Sequence, residues 1–183
     1  ISGEDELMAI FKCKMCGGTL EINNGESIAT CEYCGAKQTL PTAKDENIQG
    51  LFNRANILRM KCEFDKAEQL YEKIVQADQT QAEAYWGLIL CKYGIEYVDD
   101  AKTGKKIPTC PRTLTSSVMD DDNFTQACEN ADVVARGIYR EEAKAIDKLQ
   151  QKIIAVVENE EPYDVFICYK ETDDITGERT MDS

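Results

Sequence analysis

The chain contains no histidine. That removes imidazole acid–base catalysis, Ser–His and Cys–His nucleophile pairs and any imidazole metal ligand. Catalysis within these residues would fall to carboxylates, lysine, tyrosine or cysteine, and no paired arrangement of them stands out. Positive charge is also scarce: 21 Lys and Arg against 34 Asp and Glu leave a net charge of −13. Residues 48–94 balance six acids with six bases, whereas residues 119–161 hold eleven acids against five bases and residues 162–183 six against two. No stretch is markedly basic, which argues against binding a nucleic-acid backbone or an anionic membrane surface. The acidity reads most simply as solubility. No apolar run approaches the ~20 residues of a membrane span, and no export signal is visible, so the expected location is the cytoplasm. Residues 1–7 read as a cloning remnant ahead of a native start at Met8 and are set aside.

What the chain does have is cysteine, nine in all. Four follow a strict pattern. Cys13-Lys14-Met15-Cys16-Gly17-Gly18 is echoed by Cys31-Glu32-Tyr33-Cys34-Gly35-Ala36, with fourteen residues between Cys16 and Cys31. A two-residue gap lets both sulfurs of a knuckle face one ion, and the following glycine can adopt the positive φ that curls the backbone around it. Four thiolates complete a tetrahedral shell. Between the knuckles, Leu20 and Ile22 alternate with polar residues, Ile28 is expected to answer them, and Asn24-Gly25 signals a tight hairpin. Residues 8–40 thus resemble a zinc ribbon with Cys13, Cys16, Cys31 and Cys34 as ligands of a structural Zn²⁺. So short a segment cannot bury an adequate core alone, and the metal would supply most of its folding free energy. Iron in the same four-thiolate shell has the same spacing. Two disulfides fit less well without an export signal, and a redox pair lacks the βαβ context. A closed four-sulfur shell leaves no position for substrate. Cys62, Cys91, Cys110, Cys128 and Cys168 show no ligand spacing and read as small buried hydrophobes.

After a linker at residues 41–46, helical periodicity takes over through residues 47–161. Leu51, Ala55 and Leu58 share one face of a first helix; Ala67, Leu70, Tyr71 and Ile74 share one face of a second. Asp65–Glu68 and Thr80–Glu83 each have the form of a capping box, the latter opening a third helix that Gly94 is placed to end. Leu51, Ala55, Leu58, Phe64, Ala67, Tyr71 and Ile74 sit where the tetratricopeptide repeat places its packing residues, and Tyr85, beside Trp86, begins a second copy that breaks off after Gly94. This segment therefore resembles a tetratricopeptide-type helix pair, which implies a protein-binding role. Trp86 reads as a core residue. Residues 95–110 predict a protruding, solvated hairpin with Pro108 on an edge strand. Asp120–Asn123 caps a short helix to about Asn130, and a long helix follows over about 132–158, with Ile146, Leu149, Ile153 and Val156 in a stripe. The expected fold class is mainly α.

Residues 162–183 contain Tyr163-Asp164-Val165-Phe166-Ile167-Cys168-Tyr169, an apolar run suited to a strand buried on both faces of a parallel sheet. It resembles the opening of a Toll–interleukin receptor (TIR) domain, with Cys168 where serine is usual and Gly177–Ser183 leading toward a first helix. The expectation is that such a domain begins here and continues beyond Ser183. The order ribbon, repeat-like helices, TIR start resembles bacterial cytoplasmic TIR proteins. That resemblance implies NAD as a substrate of the complete protein, TIR–TIR self-association, and a regulatory or interaction role for the segment before it. The glutamate that drives NAD cleavage in such enzymes has no match among these residues, so residues 1–183 are expected to be non-catalytic. Two alternatives are a pure TIR adaptor without enzymatic activity and, disfavoured by charge, a nucleic-acid-binding zinc ribbon.

Overall fold

The computed structural model describes residues 9–22, 25–110, 112, 114, 116–159, 171–172 and 179–180. Its N-terminal part is made of two short antiparallel hairpins, each folded through one knuckle. β1 (Ala9–Lys12) pairs with β2 (Thr19–Ile22), and β3 (Ile28–Thr30) pairs with β4 (Lys37–Thr39). The register runs from Ala9 opposite Ile22 to Lys12 opposite Thr19, and from Ile28 opposite Thr39 to Thr30 opposite Lys37. This corrects the expected pairing of Leu20 and Ile22 with Ile28 around Asn24-Gly25. The Cys-x-x-Cys-Gly turns themselves reverse the chain. Cys13 N–H donates to Gly18 O at 2.8 Å and Gly17 N–H to Cys13 O at 2.9 Å, with the same two bonds at Cys31 and Gly35. Gly17 and Gly35 sit at φ 76° and 69°, as the spacing requires.

Five α-helices follow among the described residues: α1 (Glu46–Met60), α2 (Phe64–Ala77), α3 (Ala82–Lys92), α4 (Asp122–Asn130) and α5 (Val133–Asn159). The chain is thus mainly α, in agreement with the sequence. Asp45 caps α1 by accepting from Asn47 N and Ile48 N. The segment before it is no free linker, since Leu40, Pro41 and Ala43 are buried. α1 turns Phe52, Ala55, Asn56 and Arg59 to the core rather than Leu51 and Leu58, which are half-buried. The face shifts because Arg59 is drawn inward by the carbonyl oxygens of Lys14 and Ile95.

Both expected capping boxes are absent. α2 begins at Phe64, with Glu63 at its cap and no side-chain cap bond. The α1–α2 turn fixes this start: Cys62 takes φ 61° and Glu63 N–H bonds back to Leu58 O. Ahead of α3, Asp78 instead receives Thr80 N–H, the Thr80 hydroxyl and the Gln81 amide. Glu83 is thereby released to face the interior.

α3 is buried from Glu83 to Cys91. Trp86 is fully enclosed, with its ring centroid 5.3 Å from Tyr139 of α5 and 6.4 Å from Phe124 of α4. α3 ends at Lys92, and just beyond its cap Gly94, at φ 62°, turns the chain so that Ile95 N–H reaches back to Leu90 O. β5 (Glu96–Asp99) and β6 (Lys106–Thr109) form the expected hairpin, Pro108 opposite Tyr97. It is not a solvated excursion at its base, because Tyr97 carries the Arg59 guanidinium over its ring and donates to Glu142 of α5. Along α5 the cover thins: Ile146 is buried, Leu149 and Ile153 are half-buried, and Val156 is 58% exposed.

Of the other cysteines, Cys91 and Cys110 are buried as expected and Cys128 is half-buried. Cys62 is exposed, which corrects its reading as a buried hydrophobe; its place in the turn after α1 directs it outward. Cys168 and the expected strand Tyr163–Tyr169 lie outside the described residues. Beyond them, β7 (Glu171–Thr172) and β8 (Arg179–Thr180) pair antiparallel, so a short ladder stands where the TIR resemblance implies a loop leading to a helix.

α2 and α3 approach closely at Gly87, where a Cβ would lie 2.4 Å from the Tyr71 ring. Tyr71 is buried and its hydroxyl donates to Asn56, so the ring has no free path aside. Gly87→Ala is expected to destabilise the chain by about 1–3 kcal/mol through overpacking. Thermal or urea unfolding checks this; an unchanged midpoint would mean that the helices separate at no cost.

Candidate metal centre

The two knuckle turns bring Cys13, Cys16, Cys31 and Cys34 together, with all four sulfurs within 4.8 Å of one another. Cys13 Sγ lies 3.8 Å from Cys34 Sγ, and Cys16 Sγ lies 3.6 Å from Cys31 Sγ. A tetrahedron with metal–sulfur bonds of about 2.3 Å has edges of about 3.8 Å. These two separations match the edges of such a coordination shell. The donor set and spacing fit Zn²⁺.

N–H donors reach two of the four sulfurs. The Met15 amide lies 3.4 Å from Cys13 Sγ, the Gly18 amide 3.4 Å from Cys16 Sγ, and the Gln38 side-chain amide 3.0 Å from Cys13 Sγ. Gln38 is itself fixed, its Oε1 accepting from Lys14 N–H at 3.0 Å. It thus supports a ligand from the outer shell, as buried groups around structural metals do. In the metal-free protein, burial raises the Cys13 thiol, but the Cys16 and Met15 amides and Gln38 outweigh it and bring it down to about 7. Burial dominates at Cys16, pushed up to about 12, and Cys34 is raised by the same cause.

A divalent ion with four thiolates carries a net charge of −2. Lysines gather on one side of it. A cleft of about 340 Å³ lies between the second knuckle, the β5–β6 hairpin and α5, with Lys37, Lys105 and Lys106 on its walls. Lys106 pairs with Asp99 at 2.9 Å, and its ammonium is stabilised first by that carboxylate and then by Cys16 and Cys34.

The strongest attachment runs through Lys14, inside the first knuckle. Its ammonium lies 2.7 Å from Glu83 Oε1 on α3, with the two side chains only 2% and 7% exposed. Lys14 Nζ also donates to Thr39 Oγ1 at 2.6 Å. Glu83 Oε2 accepts from the Thr39 hydroxyl at 2.6 Å and from the Tyr139 hydroxyl at 2.7 Å. Every polar atom of the pair has partners, which a buried ion pair requires. Burial and the adjacent Glu83 hold the Tyr139 hydroxyl well above its ordinary range. Glu142 stands beside the cluster, its carboxyl raised by burial against the pull of Lys14.

The four sequence-predicted ligands are thus brought to one point. The groups that tie this point to the helices, Lys14, Gln38, Thr39, Glu83 and Tyr139, were not foreseen. Only the position of Lys14 between two ligand cysteines could have drawn attention to it. No known family profile, curated protein or solved structure gives a significant match to this chain.

Purified protein is expected to carry one zinc per chain by elemental analysis, and Cys31→Ser to abolish it. Chelation should unfold the hairpins and also lower the melting point of the helices, since withdrawing Lys14 strands Glu83. Helical melting unaffected by chelator would show that the two parts are uncoupled. Lys14→Met alone is expected to cost about 3–5 kcal/mol, and adding Glu83→Gln to recover most of it, because the lone buried charge is gone and an acceptor remains for Thr39 and Tyr139. A double-mutant cycle in urea reads this coupling.

Proposed function

We propose that this chain is the regulatory, protein-interaction region of a bacterial TIR-domain signalling or defence protein, with a zinc ribbon clamped onto a tetratricopeptide-like helical unit. The complete protein would cleave NAD through its TIR module, in the cytoplasm, and residues 1–183 would take no catalytic part. The reading rests first on the resemblance of Tyr163–Tyr169 to a TIR opening. It is supported by the four-sulfur cluster, whose closed shell suits a structural metal, and by the absence of histidine. It is compatible with the absence, among the described residues, of any helix long and apolar enough to cross a membrane.

In this reading the ribbon and helices act as one body. Protein partners would bind the helical unit, and TIR modules would pair with one another in the complete protein. The observation that carries the non-catalytic assignment is that the titratable groups buried together are all consumed in holding the parts in place. Lys14 and Tyr139 both donate to Glu83, and the four cysteine sulfurs converge on one point.

The 183-residue chain is expected to leave NAD unchanged over hours by chromatography, while the protein extended through a complete TIR module consumes it. Turnover by the 183-residue chain would overturn the assignment. Failure of the extended protein, with TIR-dependent association intact, would favour the pure adaptor.

A further inference from the structure

The two knuckle hairpins treat their backbone edges differently. β1's outer edge is sealed by one side chain: Asn53 of α1 accepts from Lys12 N–H at 2.9 Å and donates to Ile10 O at 2.9 Å. Those two residues therefore point away from β2. Antiparallel alternation then assigns the inner bonds to Ala9 and Phe11 with Ile22 and Leu20, and turns the amides and carbonyls of Thr19 and Glu21 outward. The same parity applies to the second hairpin. Cys31 N–H bonds Ala36 O and Leu40 N–H bonds Ser27 O, so Ser27, Ala29 and Cys31 face β4 while Ile28 and Thr30 face out.

The outward edges of β2 and β3 meet across one cleft of about 350 Å³, within the usual size of ligand pockets. All four residues of β2 form one wall; Ala29, Thr30, Glu32 and Tyr33 form the other. Among the described residues no backbone group pairs with Thr19, Glu21, Ile28 or Thr30 on this side. Two open strand edges facing one groove are a template for an added strand.

The charge of the groove selects the occupant. Glu21 and Glu32 are exposed on its two walls, neither is in an ion pair among the described residues, and no basic residue lines it. Tyr33 is 73% exposed, and its ring lies against Gly18, where a Cβ would come within 2.5 Å of it. That seat leaves the other ring face to solvent, suited to a cation. A second copy of a chain with net charge −13 is a poor occupant.

We propose that this cleft binds an extended, basic peptide segment of a partner protein. The segment adds as a strand to β2 or β3, with alternate Lys or Arg side chains against Glu21, Glu32 and the Tyr33 face. The site belongs to the ribbon and stands whether or not a TIR module follows.

The probe is a short capped peptide alternating arginine and threonine, titrated calorimetrically into the zinc-loaded 183-residue chain at low salt. Saturable binding is expected, with the amide signals of Glu21 and Thr30 shifted and slowed in hydrogen exchange. Methylating alternate amides of the peptide keeps its charge but removes its ladder, and is expected to abolish saturable binding. Glu21→Lys should weaken binding by about tenfold or more, while Glu46→Lys, an exposed acid in the first turn of α1, should leave it unchanged. Equal binding of the methylated peptide, or equal effects of the two charge reversals, would reduce the effect to general attraction by an acidic protein and overturn the proposal. Absence of binding would overturn it as well, leaving Glu21 and Glu32 as charges that merely guard open edges against aggregation.

Discussion

The contact between Lys14 and Glu83 is the constraint on which the arrangement depends. It joins two parts that differ in what stabilises them. The hairpin segment has about 30 residues, too few for an adequate core of its own, and a metal at its four sulfurs would supply much of what holds its shape. Its Phe11, Leu20 and Ile22 join the apolar core of the helices, which runs from Phe52 through Trp86 to Ile146. An ammonium emerging from a metal knuckle and a carboxylate projecting from a buried helix meet where water is excluded. Forming such a pair gains little over apolar packing, because both ions lose their hydration. Breaking it is costly, because each partner is left charged in a dry site. Its effect is therefore to couple the four-cysteine knuckles to helix packing more than to add net stability.

That coupling also explains the pattern of charge in an otherwise acidic chain. Most of the carboxylates among the described residues are exposed, yet Lys14 is buried inside the first knuckle and Lys37, Lys105 and Lys106 border the cleft beside the second. A four-thiolate centre of charge −2 needs positive charge or N–H donors nearby if it is to be buried against protein. The lysines, the Met15 and Gly18 amides and Gln38 supply both. The 340 Å³ cleft bordered by Lys37, Lys105 and Lys106 also reaches Cys34, so its positive charge is accounted for by the four-cysteine cluster without an anionic ligand.

Much of this was legible in the sequence, because the signals were local. Two identically spaced cysteine pairs marked the four sulfurs that cluster, and Asp121, Asp132 and Gly94 marked helix ends through short-range backbone bonds. The failures were also of one kind. Glu83 has the spacing of a capping-box glutamate, and nothing within a turn of it reveals that its partner lies 69 residues earlier. Arg59 looks like a solvent residue on a helix whose apolar face is Leu51–Leu58, until two carbonyls from distant segments draw it inside. Asn24-Gly25 favours a hairpin, but the knuckle turns had already committed β2 to β1 and β3 to β4. In each case a long-range polar partner or a cysteine-knuckle turn overrode a sound local preference.

The two knuckles show how one turn can be put to opposite uses. Their backbones match bond for bond, from the cysteine amide to the carbonyl five residues on. What differs is the pair of residues between the sulfurs. In the first knuckle, Lys14 is buried and Met15 half-buried against the helices; in the second, Glu32 and Tyr33 are exposed. Since the four sulfurs bring both turns to one point, docking the first constrains where the second points. The Lys14–Glu83 pair, with the Thr39 hydroxyl of β4 on Glu83 and Gln38 of β4 on the Lys14 amide, therefore sets the direction in which Glu32, Tyr33 and the open edge of β3 face solvent. A ribbon held only by its apolar face could slide on the helices, whereas one held by a buried, fully bonded charge has a single register.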